Sequence, residues 1–228
     1  MFNNGTEVKS DEMWLSEALT FCGLDMKYVT QEVKAIITKY TESHRRYHTF
    51  IHIRNMTSYW ENLIRDTDIS HETTVDVLLA ILFHDIIYDT KWSRKIILEE
   101  ASAQEFITFC ERTHLDISSE RINHVANLIR STATHTPMDN DQAALAFLDS
   151  DMYILSIDRH QYIEYARQVR DEWAHIDDAT YVRGRMNFLI GVLETPRIYF
   201  TDNMINREDI ARDNMRYELK LLDPANNP

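Results

Sequence analysis

The sequence predicts an all-α protein, and two observations lead to that prediction. The chain has 228 residues but only four glycines and four prolines, too few for the many tight turns of a sheet protein. Apolar residues recur with helical spacing along almost the whole chain and are interrupted only by short polar stretches. Because there is no internal repeat and no low-complexity segment, the pattern indicates a single helical domain.

The helical periodicity divides the chain into ten predicted helices. We place them at residues 11–22, 28–41, 47–65, 71–89, 93–114, 119–133, 141–155, 158–174, 180–194 and 205–222. Gly23 is suited to end the first helix, and Pro137 and Pro196 mark linkers. We expect the C-terminal helices to pack on the core or to form a cap, and the tail at 223–228 to be disordered.

Composition excludes several classes of function. The net charge of −13 argues against nucleic acid or an anionic membrane surface as a partner. No apolar run is long enough to span a membrane, and the polar opening MFNNGTEVKSDE lacks the pattern of a signal peptide. Singly scattered glycines exclude a glycine-rich phosphate loop. Cys22 and Cys110 are too few for a disulfide framework, so we expect a cytoplasmic protein with reduced thiols.

The predicted fourth helix contains ionisable residues where apolar ones are expected. From Val75 to Tyr88, eleven of fourteen residues are apolar or aromatic, so this helix should be buried on all sides. His84 and Asp85 nevertheless lie within the run. Burial of ionisable side chains costs free energy unless a partner compensates it. The compensation is either a hydrogen bond within a His–Asp pair or a metal ion.

Three histidines in the segment ESHRRYHTFIHIRNM form a second polar cluster. They are spaced by four and would share one face of a helix: His44, His48 and His52. Histidines at this spacing bind zinc in peptidases, but Thr49 stands where those enzymes need a glutamate. The spacing is therefore compatible with a metal site or a partly wet helix face, while Thr49 excludes a zinc peptidase.

Two aspartates interrupt a third apolar segment, LAFLDSDMYIL. Each of them, Asp149 and Asp151, could cap a helix or form a salt bridge when considered alone. However, polar interruptions on three different helices can meet around one ion in a helical bundle. Histidines and carboxylates without thiolates suit manganese, iron or zinc better than a structural zinc site.

Four motifs in order, RRYHTFIH, FHDIIYDT, FLDSDMYIL and YVRGRMNFLIGVL, resemble a bacterial family of predicted HD-domain phosphohydrolases. That family belongs to the HD superfamily of metal-dependent phosphohydrolases, and the resemblance runs from about residue 30 to 220. It implies a helical HD fold, with a metal-site core at about 30–160 and C-terminal helices at 160–222.

The resemblance also implies one divalent metal ion and its ligands. The ligand set that we carry over is His48, His84, Asp85 and Asp151, with Asp149 as the alternative for the last position. We expect manganese, with iron, zinc, cobalt and magnesium as alternatives.

One motif differs at a single position from the corresponding motif of a related class of enzymes. HDIIYDT is similar to the HD..EDT stretch of alarmone hydrolases, whose glutamate helps to activate the attacking water. Tyr88 occupies that place here, and a phenol is too weak an acid to act as a base at neutral pH. We therefore predict that Asp89, about one helical turn beyond Asp85, is the catalytic base. The change argues against alarmone hydrolysis but not against phosphoester hydrolysis.

Four residues are predicted to contact a phosphorylated substrate. Arginine binds phosphate through two parallel hydrogen bonds, and Arg45, three residues before His48, is the first candidate. The others are Arg185, His52 and His135. We predict a metal-dependent phosphohydrolase that acts on a small phosphorylated molecule, and family analogy favours a nucleotide.

Two alternatives remain open at this point. In the first, additional histidines hold a second iron and the domain is a dinuclear oxygenase; the candidates are His52, His124 and His135. In the second, the domain binds a nucleotide without turnover. The departures at Tyr88 and at Leu98, where the family usually has asparagine, leave this second alternative open.

Overall fold

The structure is a computed structural model and describes residues 9–91, 97–138 and 140–223. All regular secondary structure in these residues is helical, which confirms the all-α prediction. The α-helices are α1 (Asp11–Phe21), α2 (Met26–Tyr40), α3 (Phe50–Leu63), α4 (His71–Phe83), α5 (Leu98–Thr113), α6 (Ser119–Ser131), α7 (Gln142–Asp151), α8 (Arg159–Glu172), α9 (Asp178–Glu194), α10 (Asp202–Ile205) and α11 (Glu208–Leu222). A 3₁₀ helix, Met152–Ser156, directly follows α7.

Helix α4 runs through the centre of the molecule. It packs against α3, α5, α6 and α7, and every residue from Thr74 to Phe83 is buried, as its apolar sequence predicts. Each fully buried leucine, isoleucine or phenylalanine contributes about 1.5–3 kcal/mol to stability. The acid in this stretch, Asp76, accepts two hydrogen bonds from the guanidinium of Arg121 on α6. Helix α4 is therefore a fixed support for the residues at its C-terminal end.

Side-chain caps determine where the two helices that lead into the candidate site begin. The hydroxyl of Ser70 accepts a hydrogen bond from the backbone N–H of Thr73 at the start of α4. The carboxylate of Asp141 caps the first N–H groups of α7 in the same way. Each cap contributes about 1 kcal/mol. Helix α4 ends at Phe83 with His84 as its C-cap, and α7 ends at Asp151, so each cap stabilises a helix that carries a residue of the candidate site at its far end.

Two predicted helices are longer in the sequence pattern than in the structure. The helix predicted at 47–65 begins at Phe50, and the helix predicted at 71–89 ends at Phe83. The apolar run continues beyond Phe83, but there it forms a buried turn. Backbone carbonyls in this turn accept hydrogen bonds from the buried side chain of Arg45. A side chain from elsewhere in the chain thus replaces the hydrogen bonds that further helix would have made.

Other predicted boundaries agree more closely with the structure. The helix predicted at 141–155 is α7 followed by the 3₁₀ helix, and the last predicted helix is divided into α10 and α11. Gly23 has a φ of +86° and follows α1, as expected for a residue that ends a helix. The predicted start of the fifth helix at 93 and the tail after Asp223 lie outside the described residues.

The C-terminal helices pack on the core. Helix α11 contacts α8, α9 and the 3₁₀ helix, and Arg185 of α9 forms a buried salt bridge of 2.8 Å with Glu218 of α11. Tyr199 is fully buried, and its hydroxyl donates a hydrogen bond to the backbone carbonyl of Met152. Both cysteines are buried free thiols. None of the described helices is long and apolar enough to cross a membrane.

Candidate metal centre

His84 and Asp85 lie where the chain leaves helix α4. His84 is the C-cap of the helix and is 2% exposed. Its Nδ1 lies 2.9 Å from the backbone carbonyl oxygen of Ile81. Because a carbonyl oxygen can only accept, Nδ1 of the neutral ring carries the proton, which leaves the lone pair of Nε2 available to bind another group.

His52 approaches His84 from the first turn of α3. Its side chain is buried, and the two Nε2 atoms are 3.2 Å apart. Oδ2 of Asp85 lies 3.1 Å from Nε2 of His84 and 3.9 Å from Nε2 of His52. From the end of α7, Oδ1 of Asp151 lies 3.3 Å from Nε2 of His52 and 3.7 Å from Nε2 of His84. Two imidazoles and two carboxylates therefore converge in one place.

These donor atoms are suited to a metal ion. Within the described residues, His52, His84 and Asp85 offer ligand atoms that all lie within 4.8 Å of one another. Metal–ligand distances of about 2.1 Å would separate neighbouring donor atoms by roughly 3.0–3.4 Å, close to the separations seen here. Nitrogen and oxygen donors without thiolates are compatible with several divalent metals. These three residues could bind a metal ion, and Asp151 lies where it could supply a fourth ligand.

The carboxylates at this centre are held in their ionised form. Burial favours the neutral form of Asp85, but His84 beside it keeps the pKa of that carboxyl well below its usual range. Asp151 is half-buried; its partial burial favours the neutral form, but its hydrogen bonds with His135 and His52 lower its pKa. Burial favours neutral His84, yet Asp85 raises the pKa of the ring to about 9. An incoming metal ion would displace that proton.

Asp149 and Asp151 have different partners, which separates the two alternatives for the last ligand. Asp149 is fully buried and accepts hydrogen bonds from the backbone N–H groups of Phe200 and Thr201 and from the Thr201 hydroxyl, at 2.6–2.8 Å. Side chains two positions apart on a helix point in roughly opposite directions. Asp149 thus anchors the segment before α10, while Asp151 points towards His52 and His84.

His135 contacts a candidate ligand. It lies in the turn after α6, with a left-handed φ of +46°, and its Nε2 is 2.9 Å from Oδ2 of Asp151. The other oxygen of Asp151 is the one that approaches His52. The residue was predicted to contact substrate; in the structure it is placed to orient the carboxylate of Asp151.

His48 lies beside the donor group and not within it, contrary to the prediction. The helical spacing of the three histidines does not hold, because α3 begins only at Phe50 and leaves His44 and His48 in the preceding turn. His52, predicted to contact substrate, occupies the ligand position that was assigned to His48. The Nδ1 atom of His48 instead lies 2.7 Å from Oε2 of Glu172.

Glu172 is a candidate functional residue that sequence analysis missed. It is buried at the end of α8, and its Oε1 accepts hydrogen bonds from the backbone N–H groups of Arg46, Tyr47 and His48 at 2.8–2.9 Å. Its Oε2 contacts His48 and accepts a hydrogen bond from the Tyr88 hydroxyl. Burial disfavours the carboxylate, but its hydrogen bonds with His48 lower its pKa to about 2. No local motif marks this residue, since 124 positions separate it from His48.

The ring of His48 is held between aromatic neighbours. It stacks on Tyr88, with ring centroids 4.2 Å apart, and meets the ring of Tyr47 edge-on. Its centroid is 6.0 Å from that of His52, and its side chain is 21% exposed. Burial favours the neutral ring, but the hydrogen bond with Glu172 raises the pKa of His48 above its usual value. The ring is therefore fixed next to the donor group and is accessible from solvent.

The surroundings of Arg45 do not favour its predicted role as a phosphate contact, which stays a prediction. Its side chain is 0% exposed, and Nη1 donates hydrogen bonds to the backbone carbonyls of His48 and Asp85, both at 2.9 Å. Nη2 donates a third to the carbonyl of Ile86. Arg45 therefore connects the turn before α3 to the turn after α4 and sets the relative position of the two.

Two further predicted site residues have other surroundings than expected. Arg185 is buried, and its Nε and Nη2 donate hydrogen bonds to the carboxylate of Glu218, so its guanidinium is directed at α11. Asp89 lies in the turn beyond α4, where its carboxylate accepts a hydrogen bond from the N–H of Lys91. The helical argument that aligned Asp89 with Asp85 is therefore wrong, and its role as a base remains a prediction.

Comparison of the chain with protein-family models and with curated proteins found no match. The geometry of the candidate centre and the four sequence motifs are therefore the features that bear on function.

Proposed function

We propose that this protein is a metal-dependent phosphohydrolase that acts on a small phosphorylated molecule, with a nucleotide as the favoured substrate. The observation that carries this proposal is the convergence of four side chains at 3.1–3.9 Å: His52, His84, Asp85 and Asp151. When bound, a divalent ion such as manganese lowers the pKa of a coordinated water and polarises a phosphoryl oxygen. The motif order of the sequence supports phosphoester chemistry over other uses of such an ion.

His48 and Glu172 are suited to transfer a proton during hydrolysis. The buried carboxylate of Glu172 lies 2.7 Å from Nδ1 of His48 and stabilises the protonated ring. With Nδ1 directed at Glu172, Nε2 is left to donate a proton to the leaving oxygen of the substrate. A positioned histidine of this kind contributes roughly 10²–10⁴-fold to the rate. His48 therefore replaces Asp89 as the first candidate for proton transfer.

Tyr88 supports this pair and explains the departure from the alarmone-hydrolase motif. Its hydroxyl donates a hydrogen bond of 2.9 Å to Glu172, and its ring stacks on His48. A glutamate in this position would bring a second carboxylate towards Glu172, at a cost from like charges. We infer that Tyr88 belongs to a variant of the site in which a histidine–glutamate pair moves the proton.

The test begins with metal analysis of the purified protein, followed by a phosphate-release screen. Nucleotides, alarmones and sugar phosphates are each assayed with manganese, iron, cobalt, zinc and magnesium. We expect about one ion per chain and phosphate release from at least one nucleotide. Asp85→Asn should lose both the ion and the activity.

Two further variants identify the proton-transfer residue. His48→Asn should retain the ion and lose turnover on the order of 10²-fold or more, while Asp89→Asn should keep most of its turnover. The reverse result would restore Asp89 as the base. Nucleotide binding without phosphate release under every metal would contradict the enzymatic proposal and favour a binding module.

One observation favours a second candidate function, a dinuclear-iron oxygenase. Asp151 directs one oxygen towards His52 and the other towards His135, whose Nε2 is 2.9 Å away. This arrangement places further nitrogen and oxygen donors beside the first group. Two irons per chain together with oxygen consumption would support the oxygenase, whereas one ion and no oxygen consumption would exclude it.

A further inference from the structure

A cleft of about 380 Å³ lies between the C-terminal end of α8 and the first half of α9. Its walls include the side chains of Val169 from α8, of Trp173 directly after that helix, and of Tyr181 and Phe188 from α9. Clefts of roughly this volume with mainly apolar and aromatic walls are typical of small-molecule sites. The cleft lies outside the group of candidate metal ligands, so it is a separate feature of the molecule.

The polar groups at this cleft favour an uncharged ligand. The guanidinium of Arg185 is neutralised by Glu218, with two hydrogen bonds of 2.8 and 3.1 Å. Tyr181 is 7% exposed, and its hydroxyl is a buried group without a hydrogen-bond partner among the described residues. Arg170 lies over the Tyr181 ring at 4.7 Å and fixes it in place. The wall thus offers mainly aromatic surface, with no excess of charge for a phosphate group.

The cleft adjoins the residues that surround the candidate metal centre. Trp173 lines the cleft and directly follows Glu172, whose carboxylate contacts His48 and Tyr88. Trp173 therefore joins one wall of the cleft directly to the residue that contacts His48.

We propose that this cleft binds the nucleobase of the substrate, an inference that rests on the proposed function. Trp173 and Phe188 supply aromatic surface for stacking on a planar ring. The phosphate of the same molecule lies at the metal centre. A separate effector nucleoside would present the same chemistry, so the test distinguishes the two sources.

Gly184 allows the cleft to be filled without disturbing the protein. It lies on the wall of the cleft, and a Cβ built on it meets no atom within 4 Å. Gly191 lies two turns further along α9, is equally open, and is not on the wall. Gly184→Leu is therefore the blocking variant and Gly191→Leu its matched control. Phe188→Ala, at a side chain that is 41% exposed, is a second variant that removes stacking surface.

The first measurement is equilibrium binding of adenosine, guanosine, cytidine and uridine to the metal-loaded full chain by calorimetry. We expect at least one nucleoside to bind, and Gly184→Leu and Phe188→Ala to weaken that binding about tenfold or more. Gly191→Leu should bind as the wild type does. If no nucleoside binds, or if both cleft variants bind like the wild type, the inference is wrong.

The second measurement compares a nucleotide with ribose 5-phosphate, which has no base. Gly184→Leu should raise KM for the nucleotide, leave its kcat unchanged, and leave ribose 5-phosphate hydrolysis unaffected. Nucleotide hydrolysis that is unchanged in both cleft variants would overturn the inference while the proposed function stands. Nucleoside binding that the cleft variants weaken, without phosphate release from any substrate, would support the base site and overturn the proposed hydrolysis.

Competition identifies the source of the base. A free nucleoside should compete with nucleotide hydrolysis if the cleft holds the base of the substrate. Activation would assign the cleft to an effector, and the absence of any effect at saturating nucleoside would show that the cleft does not hold the base of the substrate. Either result overturns the proposal.

Discussion

Among single residues, Glu172 connects the most distant parts of the candidate site. One buried carboxylate accepts hydrogen bonds from three successive backbone N–H groups and from Tyr88, and also contacts His48. Hydrogen bonds to a charged group are worth more than those between neutral groups. Loss of the charge would leave several of these buried partners poorly satisfied, so Glu172 should matter for stability as well as for the orientation of His48.

We predict that Glu172→Gln lowers the free energy of unfolding most at neutral pH. The pKa of Glu172 is about 2 in the folded protein against 4.5 ordinarily. A depressed pKa stabilises the fold fully above the unfolded value, and this contribution is lost as the pH falls through the folded value. By linkage it is on the order of 3 kcal/mol at pH 7. Urea unfolding should therefore show a wild-type advantage that shrinks between about pH 4.5 and pH 2.

The control for this prediction is the neighbouring carboxylate. Asp171 is 41% exposed and pairs with Arg167 on the helix surface. Asp171→Asn should change the unfolding free energy by no more than about 0.5 kcal/mol at any pH. A difference between wild type and Glu172→Gln that stays constant with pH would show that the charge of Glu172 is not the stabilising feature.

Among the helices, α4 and α9 illustrate two kinds of sequence signal. Helix α4 is buried on all sides, and its apolar composition predicts both its existence and its central position. Helix α9 buries only Tyr181, Arg185 and Leu189 and carries two glycines in its interior. Glycine inside a helix costs conformational entropy on folding, so α9 is open to stabilisation by substitution.

We predict that Gly184→Ala and Gly191→Ala each stabilise the protein by about 0.5–1 kcal/mol. A Cβ at either position meets no atom within 4 Å, so the methyl group adds helix propensity without a clash. Gly23→Ala provides the contrast, because its Cβ also enters open space but its φ is +86°. That variant should be destabilised by about 1–2 kcal/mol. Thermal unfolding of the three variants would contradict this account if all three changes had the same sign.

Over the whole molecule, a bound metal ion would connect helices that are far apart in the chain. His52 lies on α3, His84 and Asp85 lie at the end of α4, and Asp151 ends α7. An ion held by all of them binds only the folded state and stabilises it by mass action. The unfolding of the entire domain should therefore respond to metal.

We predict that chelation lowers the melting temperature and that added metal restores it. At a free metal concentration one hundred times Kd, the stabilisation is about 2.7 kcal/mol. Asp85→Asn should abolish the metal-dependent shift, and it should also lower the stability of the metal-free protein, because it removes the carboxylate that pairs with His84. Asp66→Asn, at an exposed loop position, should retain the full shift. A metal-free protein that melts no earlier than the metal-loaded one would contradict a buried metal site.

The sequence by itself determined the helical class, the buried helix α4 and the His84–Asp85 pair at its end. These features depend on local composition and periodicity, which act over one or two helical turns. The choice between Asp149 and Asp151 was also predicted in favour of Asp151, which is the one that approaches His52 and His84.

Only the tertiary structure decided which histidine joins the candidate ligands and what surrounds them. The exchange of His48 for His52 depends on α3 beginning at Phe50. The hydrogen bonds that the turn before this helix donates to Glu172 are part of what holds that turn in place. Arg45 likewise changes from a predicted phosphate contact to a buried donor, because the carbonyls it satisfies lie 40 and 41 residues away. Periodicity cannot reveal such contacts, since they join residues that become neighbours only when the helices pack.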